Sequence, residues 1–497
     1  MDRPLKVLFL SPEVSPLAKT GGLADVAGSL PKALKALGID IRVALPYYRT
    51  VKESPSQAEL VIAEMETPVG RDMLRDRVYL TRLAGGVPVY LINKDEYFDR
   101  RFLYGTSRGD YFDNLERFVF FSRAVFNLCE KLDFQPDVIH CNDWQTGLVP
   151  AYLETLYRTH PLFAGTACLF TVHNIAYQGL FPGEKFQVTG LPSEVFHPGG
   201  IEFWGGINLL KSGLVFSQII TTVSRRYSRE IQTPEFGYGL EGVVRSRKGD
   251  LFGVLNGVDY TEWNPESDRL IAANYTARNL RGKMRCKDDL LGEFNLPERL
   301  RSRPIIGIIS RLVKQKGFDL VEQIIEDLME KDLGLVVLGT GESAYEELFV
   351  KTARKYPGKA AARIAYDNRL AHKIEAGADM FLMPSRYEPC GLNQIFSLKY
   401  GTVPIVRATG GLDDTIVDYR SETGRGTGFK FKQYRPSRLL QRIEDALSVF
   451  QERQKWEGIM LRGMKADFSW TRSARVYDRL YRKALANVRF SHSRPEG

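Results

Sequence analysis

The chain has 497 residues, 43% of them hydrophobic and 26% charged. At roughly 100–200 residues per domain there is room for two domains or more. Both fractions are close to the averages for globular proteins, which excludes a disordered, collagen-like or disulfide-scaffold chain. The net charge of +9 would suit a nucleic-acid partner only with a basic stripe or a reader motif. No long Lys/Arg run and no helix-turn-helix, RRM or zinc-finger pattern is present, so no nucleic-acid partner is expected. A basic surface accounts for the charge, as does a positive cleft drawing in a small anionic substrate. No stretch approaches the roughly 20 apolar residues that span a bilayer. Met1–Pro4 runs into a strand-like Leu5–Leu10 without a signal or transit pattern. Cys129, Cys141, Cys168, Cys286 and Cys390 are odd in number and contain no C-x-x-C. We therefore expect reduced thiols, a cytoplasmic location, no membrane association and no metal site.

In chain order, the first half alternates buried-looking strands with amphipathic helices. Strand Leu5–Leu10 is followed by a helix with Leu23, Val26, Leu30, Leu34 and Leu37 on one face. Pro31 should kink or split it. Strand Ile41–Leu45, a strand-rich excursion around Val78–Asn93 and helix Leu115–Leu132 come next. Strand Asp137–His140, a helix after Trp144, strand Cys168–Val172 and strand Gln218–Val223 complete this half. Asn256–Asp268 is polar with Pro and Gly, a fair linker. The pattern then restarts: helix Arg281–Phe294, strand Pro304–Ser310, helix Phe318–Lys331, strand Gly334–Leu338, helix Ser343–Lys355 and strand Ala362–Tyr366. A short helix to Gly377, strand Met380–Met383, helix Gly391–Tyr400 and strand Val403–Val406 follow. Short apolar strands spaced by helices imply parallel sheets covered on both faces. The fold class is α/β, with two Rossmann-like domains, 1–262 and 263–469, facing a central cleft. An aromatic-rich helix at about 470–490 closes the chain and can pack on either domain.

Ligands of open α/β sheets sit at the carboxyl ends of the strands, so the candidate site residues are those of the strand tips. After Ser11-Pro12-Glu13, the loop Lys19-Thr20-Gly21-Gly22 opens a helix and can seat an anion on glycine backbone, helix N–H groups and a lysine. It also reads as a plain glycine turn. His140-Cys141-Asn142-Asp143-Trp144 puts polar groups beside an aromatic, as a sugar site would, or caps a helix over a core tryptophan. His173-Asn174 ends the next strand. In the second half, Arg311 and Lys316 share one strand-to-helix loop and can clamp a diphosphate. Gly339-Thr340-Gly341-Glu342-Ser343-Ala344 matches a dinucleotide fingerprint. It follows the second strand of its domain and lacks the downstream acid, so it reads as a tight turn. Pro384–Gln394 holds Glu388 before a helix, and Thr409-Gly410-Gly411-Leu412 echoes the first loop. No D-x-D occurs, which argues against a metal-bridged nucleotide-sugar site.

Together the Lys19–Leu23 loop, His140–Trp144, Thr171–Gly179, Asn256–Asp259 with Trp263-Asn264-Pro265, Ser310–Gly317, Pro384–Gln394, Thr409–Leu412 and Phe468-Ser469-Trp470 resemble the bacterial glycogen synthase and plant starch synthase family, in order and over nearly the whole chain. The resemblance implies a GT-B type glycosyltransferase that moves glucose from ADP-glucose to the nonreducing end of an α-1,4-glucan with retention, using no cofactor. It implies that Lys19, Gly22, Asn256, Thr409 and Gly410 lie in the donor site. Arg311 and Lys316 would bind the diphosphate, and Glu388 with the amides of Cys390, Gly391 and Leu392 would hold the donor glucose and phosphate. His173 and Asp143 would line the sugar site. The last helix resembles the family's crossover helix, which returns to the N-terminal domain. Many related retaining transferases carry a second glutamate eight residues after the first; here Phe396 stands there, so no carboxylate pair is visible for double displacement, and front-face displacement is expected. Tyr97 and Trp144 are candidates for stacking on the acceptor glucan. A small-acceptor or sucrose-type transferase, an epimerase, or a non-catalytic glucan-binding protein are the other readings. Oligomeric state is not legible.

Overall fold

The computed structural model describes residues 3–492 except 56 and 107. Met1 and Asp2, part of the leader reading, lie outside them. The chain forms two compact units: one holds the residues up to Gly257 and those from Trp470 on, the other Val258–Ser469. The expectation of two Rossmann-like α/β domains is met, one in each unit.

The first unit is built on a nine-stranded sheet. In spatial order its strands are Leu251–Gly253, Ile219–Thr222, Ala167–Val172, Val138–Asn142, Lys6–Leu10, Asp40–Pro46, Val87–Asn93, Asp72–Leu83 and Glu59–Val69. The first seven are parallel and the last two antiparallel. Every residue of Val138–Asn142 and Ala167–Val172 is buried, as strands covered on both faces require. Register sets the tips side by side: Leu10 pairs with Cys141, Asn142 with Thr171, and Val172 with Thr222.

Three sequence expectations change here. Helix Gly22–Ala36 is one helix through Pro31. A proline costs about 3 kcal/mol in a helix interior; the buried face Leu23, Val26, Ala27, Leu30 and Leu34 offsets it. Strand Glu59–Val69 was not foreseen, because register shifts between Leu60 and Ile62 and between Ile62 and Met65 break the two-residue alternation. The strand read as Asp137–His140 extends to Asn142, so His140 lies inside the sheet rather than at its tip.

Helix Trp470–His492 packs on helix Gly22–Ala36 and strand Ala167–Val172 of the first unit. Trp470, Ala474, Tyr477, Tyr481, Ala484 and Val488 form its buried stripe, at helical spacing. His140 fixes it from below: Nδ1 lies 2.7 Å from the Tyr481 hydroxyl and Nε2 2.7 Å from Thr171 Oγ1.

The second unit has a six-stranded, wholly parallel sheet ordered Ala360–Arg363, Gly334–Leu338, Ile305–Ile309, Met380–Met383, Val403–Arg407, Phe429–Phe431. The strand expected at Ala362–Tyr366 sits at Ala360–Arg363, which leaves Tyr366 in the following loop. Phe318, Val321, Ile324 and Leu328 cover one sheet face, and Leu290, Ile374 and Ala378 the other.

Candidate active site

In the first unit the loop after Lys6–Leu10 is organised by a residue the sequence reading passed over. The buried Glu13 carboxylate accepts hydrogen bonds from the Thr20 amide (2.6 Å), Thr20 Oγ1 (2.6 Å), the Gly21 amide (3.1 Å) and the Tyr104 hydroxyl (2.9 Å). Four donors on one carboxylate fix the path of Lys19–Gly21. Lys19 Nζ pairs with Asp25 Oδ1 at 2.6 Å on the surface. No side chain caps the helix that begins at Gly22, so its first amides keep their capacity for an anion. A Cβ added to Gly21 or Gly22 would meet nothing within 4 Å; space, not packing, lies above them.

Asp143 and His173 are brought together by the Asn142–Thr171 register. Asp143 adopts φ +57, sparsely populated for a residue with a side chain, and its Oδ1 accepts the His173 amide at 2.7 Å. His173 Nε2 donates to Asn142 Oδ1 at 2.9 Å, and Asn142 Nδ2 donates to the Leu10 carbonyl at 2.9 Å. Burial pushes the His173 imidazole down to about 3 and the Asp143 carboxyl up to about 7. His173 is therefore neutral at physiological pH. With its proton on Nε2, Nδ1 is an acceptor, suited to a sugar hydroxyl and not to donating a proton. Asn256 is buried, and its Oδ1 has no hydrogen-bond partner among the described residues.

The two stacking candidates are packed. Trp144 is 9% exposed, with Phe118 and Phe181 against its ring. Gly179 closes on it so tightly that a Cβ there would lie 2.4 Å from the indole. Tyr97 is half-buried, with edge contacts to Phe98 and Phe120. Trp144 offers no open ring face of the kind the stacking expectation needs; Tyr97 is covered only in part.

In the second unit three strand-tip loops interlock. Lys316 Nζ lies 2.6 Å from Glu388 Oε2, and Ser385 Oγ donates to the same oxygen at 3.0 Å. Gly317, at φ +80, lets its loop press on the Pro384 carbonyl, 2.1 Å from where a Cβ would stand. The Arg386 amide donates to the Gln315 carbonyl at 2.8 Å, and Gln315 Nε2 donates to the Tyr387 carbonyl at 3.2 Å. The third loop closes from the other side. The Gly411 amide donates to the Glu388 carbonyl at 3.0 Å, and a Cβ on Gly410 would collide with that same carbonyl at 1.9 Å. Thr409 is buried beside it. Arg311 is exposed and makes no ion pair among the described residues. The helix expected from Gly391 begins at Asn393: Gly391 itself is at φ +70, and Cys390, Gly391 and Leu392 form the turn ahead of the helix.

Two sequence motifs resolve into packing. A Cβ on Gly339 would lie 1.9 Å from the Ser310 carbonyl, and one on Gly341 2.2 Å from the Leu312 carbonyl. These glycines seat the Arg311 loop against its neighbour. Phe396 stacks on Trp263 (ring centroids 4.0 Å, 6°), which stacks on His372 (3.7 Å, 14°). The position of the second glutamate in related enzymes here clamps the Trp263 segment. Glu13 and Ser385 were missed as positioning groups; the only hint of Glu13 was an acid just after the first strand.

Comparison with known proteins matches these features to one family. Residues 6–246 match the starch synthase catalytic domain model, and residues 295–458 the model for glycosyl transferases group 1. The glycogen synthase of Koribacter versatilis is 50% identical over 97% of this chain and 98% of its own length. That of Moorella thermoacetica is 48% identical over 98% and 99%. Among solved structures, the catalytic domain of Arabidopsis thaliana starch synthase IV, bound to ADP and acarbose, superposes with a TM-score of 0.89 at 31% identity, covering 97% of this chain and 100% of that one. Sucrose-phosphate synthase from Thermosynechococcus elongatus shares the fold (TM-score 0.58, 16% identity). With matches running the full length of its relatives, the chain belongs to the glycogen and starch synthase family of glycosyltransferases.

Proposed function

We propose that the protein is a retaining glucosyltransferase that moves glucose from ADP-glucose to the nonreducing end of an α-1,4-glucan. The observation that carries this reading is the Lys316–Glu388 ion pair, with the exposed Arg311 on the same loop as Lys316, in a chain half identical to a glycogen synthase. Arg311 and Lys316 take the diphosphate. Glu388, with the turn amides of Cys390, Gly391 and Leu392 and the Thr409-Gly410 loop, holds the glucose hydroxyls and the adjacent phosphate. In the first unit Lys19, Gly22 and Asn256 are assigned to donor binding, and the neutral His173 beside Asp143 accepts from a sugar hydroxyl. The bond from the glucose anomeric carbon to the diphosphate breaks, and the acceptor O4 bonds to that carbon on the same face. The acceptor's proton passes to the departing diphosphate oxygen. Arg311 and Lys316 stabilise the charge that develops on that oxygen. We assign the protein to the cytoplasm: its five cysteines are free thiols, and no described helix is long and apolar enough to cross a membrane.

The test is incubation of the protein with glucose-labelled ADP-glucose or UDP-glucose, with and without glycogen. The expected result is label in the polymer from ADP-glucose, matched by ADP release that depends on glycogen. Label confined to a small glucoside would favour the small-acceptor reading, and glycogen binding without ADP release the non-catalytic one. Either would overturn the assignment.

A further inference from the structure

Five described residues other than glycine have positive φ: Asp133, Asp143, Trp204, Tyr238 and Asn295. Asp and Asn tolerate this region; bulky side chains are outliers there. Both bulky examples are aromatic, both project into solvent (Trp204 88% exposed, Tyr238 44%), and each is followed by a glycine that is also at positive φ. Trp204-Gly205 is the two-residue loop of the hairpin in which Phe203 pairs with Gly206. Two positive φ angles in such a loop ordinarily select Asn-Gly or Asp-Gly. The backbone accepts strain to hold an indole outward, and strain of this kind collects at functional positions.

The two turns touch. A Cβ on Gly239 would lie 3.1 Å from the Phe203 ring. Gln178 ties them to the His173 loop: its Nε2 donates to the carbonyls of Ile175 (3.2 Å) and Tyr238 (3.0 Å), and its Oε1 accepts from Asn208 Nδ2 (2.8 Å) in the same small sheet as the hairpin. Beside Gln178 stand Tyr177, 53% exposed, and Leu180, 58% exposed. The patch is aromatic; the Glu202 carboxylate at its edge is engaged by the Gly205 amide, which donates to Oε1 at 2.6 Å, and Gln178 links the patch to the segment after His173.

We propose that Trp204 and Tyr238, with Tyr177, form a stacking platform for an α-glucan chain, a subsite separate from the one that seats the reacting end. A polymer with apolar C–H faces suits exposed rings, and its hydroxyls suit a carboxylate at their edge. The inference rests on the glucan acceptor proposed above.

The experiment uses Trp204→Gly, Tyr238→Asn and the double variant of the full chain. Both replacements favour the left-handed backbone, so the strain is relieved while the ring is removed. For the double variant we expect the KM for glycogen to rise about tenfold, as loss of a well-placed aromatic anchor does. Retardation in glycogen-containing native gels should fall, kcat and the KM for ADP-glucose should stay within about twofold, and the melting temperature should hold or rise. Unchanged glycogen KM and retardation would overturn the platform. So would a falling melting temperature, which marks a structural role, or a wild-type dimer that the variants dissociate, which marks a protein contact. Gel retardation needs no turnover, so it decides the platform even if the wild type fails to transfer glucose and the functional reading falls.

Discussion

The strand tips of the two units solve different chemical problems with similar backbone. In the first, the functional side chains are buried and bonded to one another: Asp143 to the His173 amide, His173 to Asn142, Asn142 to Leu10. Burial holds the imidazole neutral and raises the carboxyl to about 7. In the second, an ion pair takes their place: Lys316 lies on Glu388 at 2.6 Å, with the exposed Arg311 on the same strand-to-helix loop as Lys316. Neutral, pre-oriented acceptors match hydroxyl groups, and cations match phosphate. The contrast teaches that the two units differ in the charge of their strand-tip groups more than in loop shape, and the roles proposed for His173 and for Arg311 with Lys316 follow that difference.

The largest effect should come from the charged side. Lys316→Ala or Arg311→Ala should each lower kcat about 100- to 1000-fold, as loss of one preorganised electrostatic group does, with the KM for glycogen nearly unchanged. Steady-state kinetics with ADP-glucose decide this, and an unaltered kcat would remove both residues from the chemistry. Next is Glu13→Gln, which leaves the Thr20 and Gly21 amides facing a neutral partner. The KM for ADP-glucose should rise about tenfold, since a hydrogen bond to a charged group contributes about 1.5–3 kcal/mol, and the rise should be smaller in a Lys19→Ala background. Equal effects in both backgrounds would show that Glu13 does not act through that loop.

The neutral pair makes a pH prediction in two opposed parts. His173 titrates near 3 when folded against 6.5 in the unfolded chain. The unfolded state therefore takes the proton first, and stability is lost as pH falls below 6.5, by about 2 kcal/mol at pH 5. Asp143 titrates near 7 when folded against 3.8. The folded state binds that proton first, so acid between pH 7 and 3.8 stabilises, again by about 2 kcal/mol at pH 5. The two nearly cancel in the wild type. Urea unfolding at pH 7 and pH 5 should show Asp143→Asn losing stability in acid and His173→Asn gaining it; parallel behaviour of all three proteins would contradict the burial of the pair. The smallest effect is Tyr481→Phe. It removes the hydroxyl from His140 and should cost about 1–2 kcal/mol in the same assay, while leaving kcat alone.

Much of this was legible in the sequence. Strand tips could be located to within a residue or two because buried parallel strands read as short apolar runs; the register that sets Asn142 opposite Thr171 is supplied by the structure. Partnership over long separations could not be read. Nothing in the sequence pairs Lys316 with Glu388 or Tyr481 with His140, since each contact depends on strands being brought together by the sheet. Trp144 looked like a stacking residue because composition says nothing of what covers a ring, and the cover is Gly179. The exposed aromatics at Trp204 and Tyr238 were passed over for the converse reason. Their positive φ angles belong to turns whose usual residues, Asn and Asp, are absent. Bulges hid strand Glu59–Val69 in the same way, by breaking the alternation that marks a strand.

The division of charge between the units is tested most directly by calorimetric titration of ADP into the wild type, the Arg311→Ala/Lys316→Ala double variant and His173→Ala. If the second unit's cations hold the diphosphate, the double variant should bind ADP at least about 100-fold more weakly, two lost charge-assisted contacts at about 1.5–3 kcal/mol each, while His173→Ala binds it as the wild type does. ADP affinity that survives the double substitution, or that collapses in His173→Ala, would contradict that division.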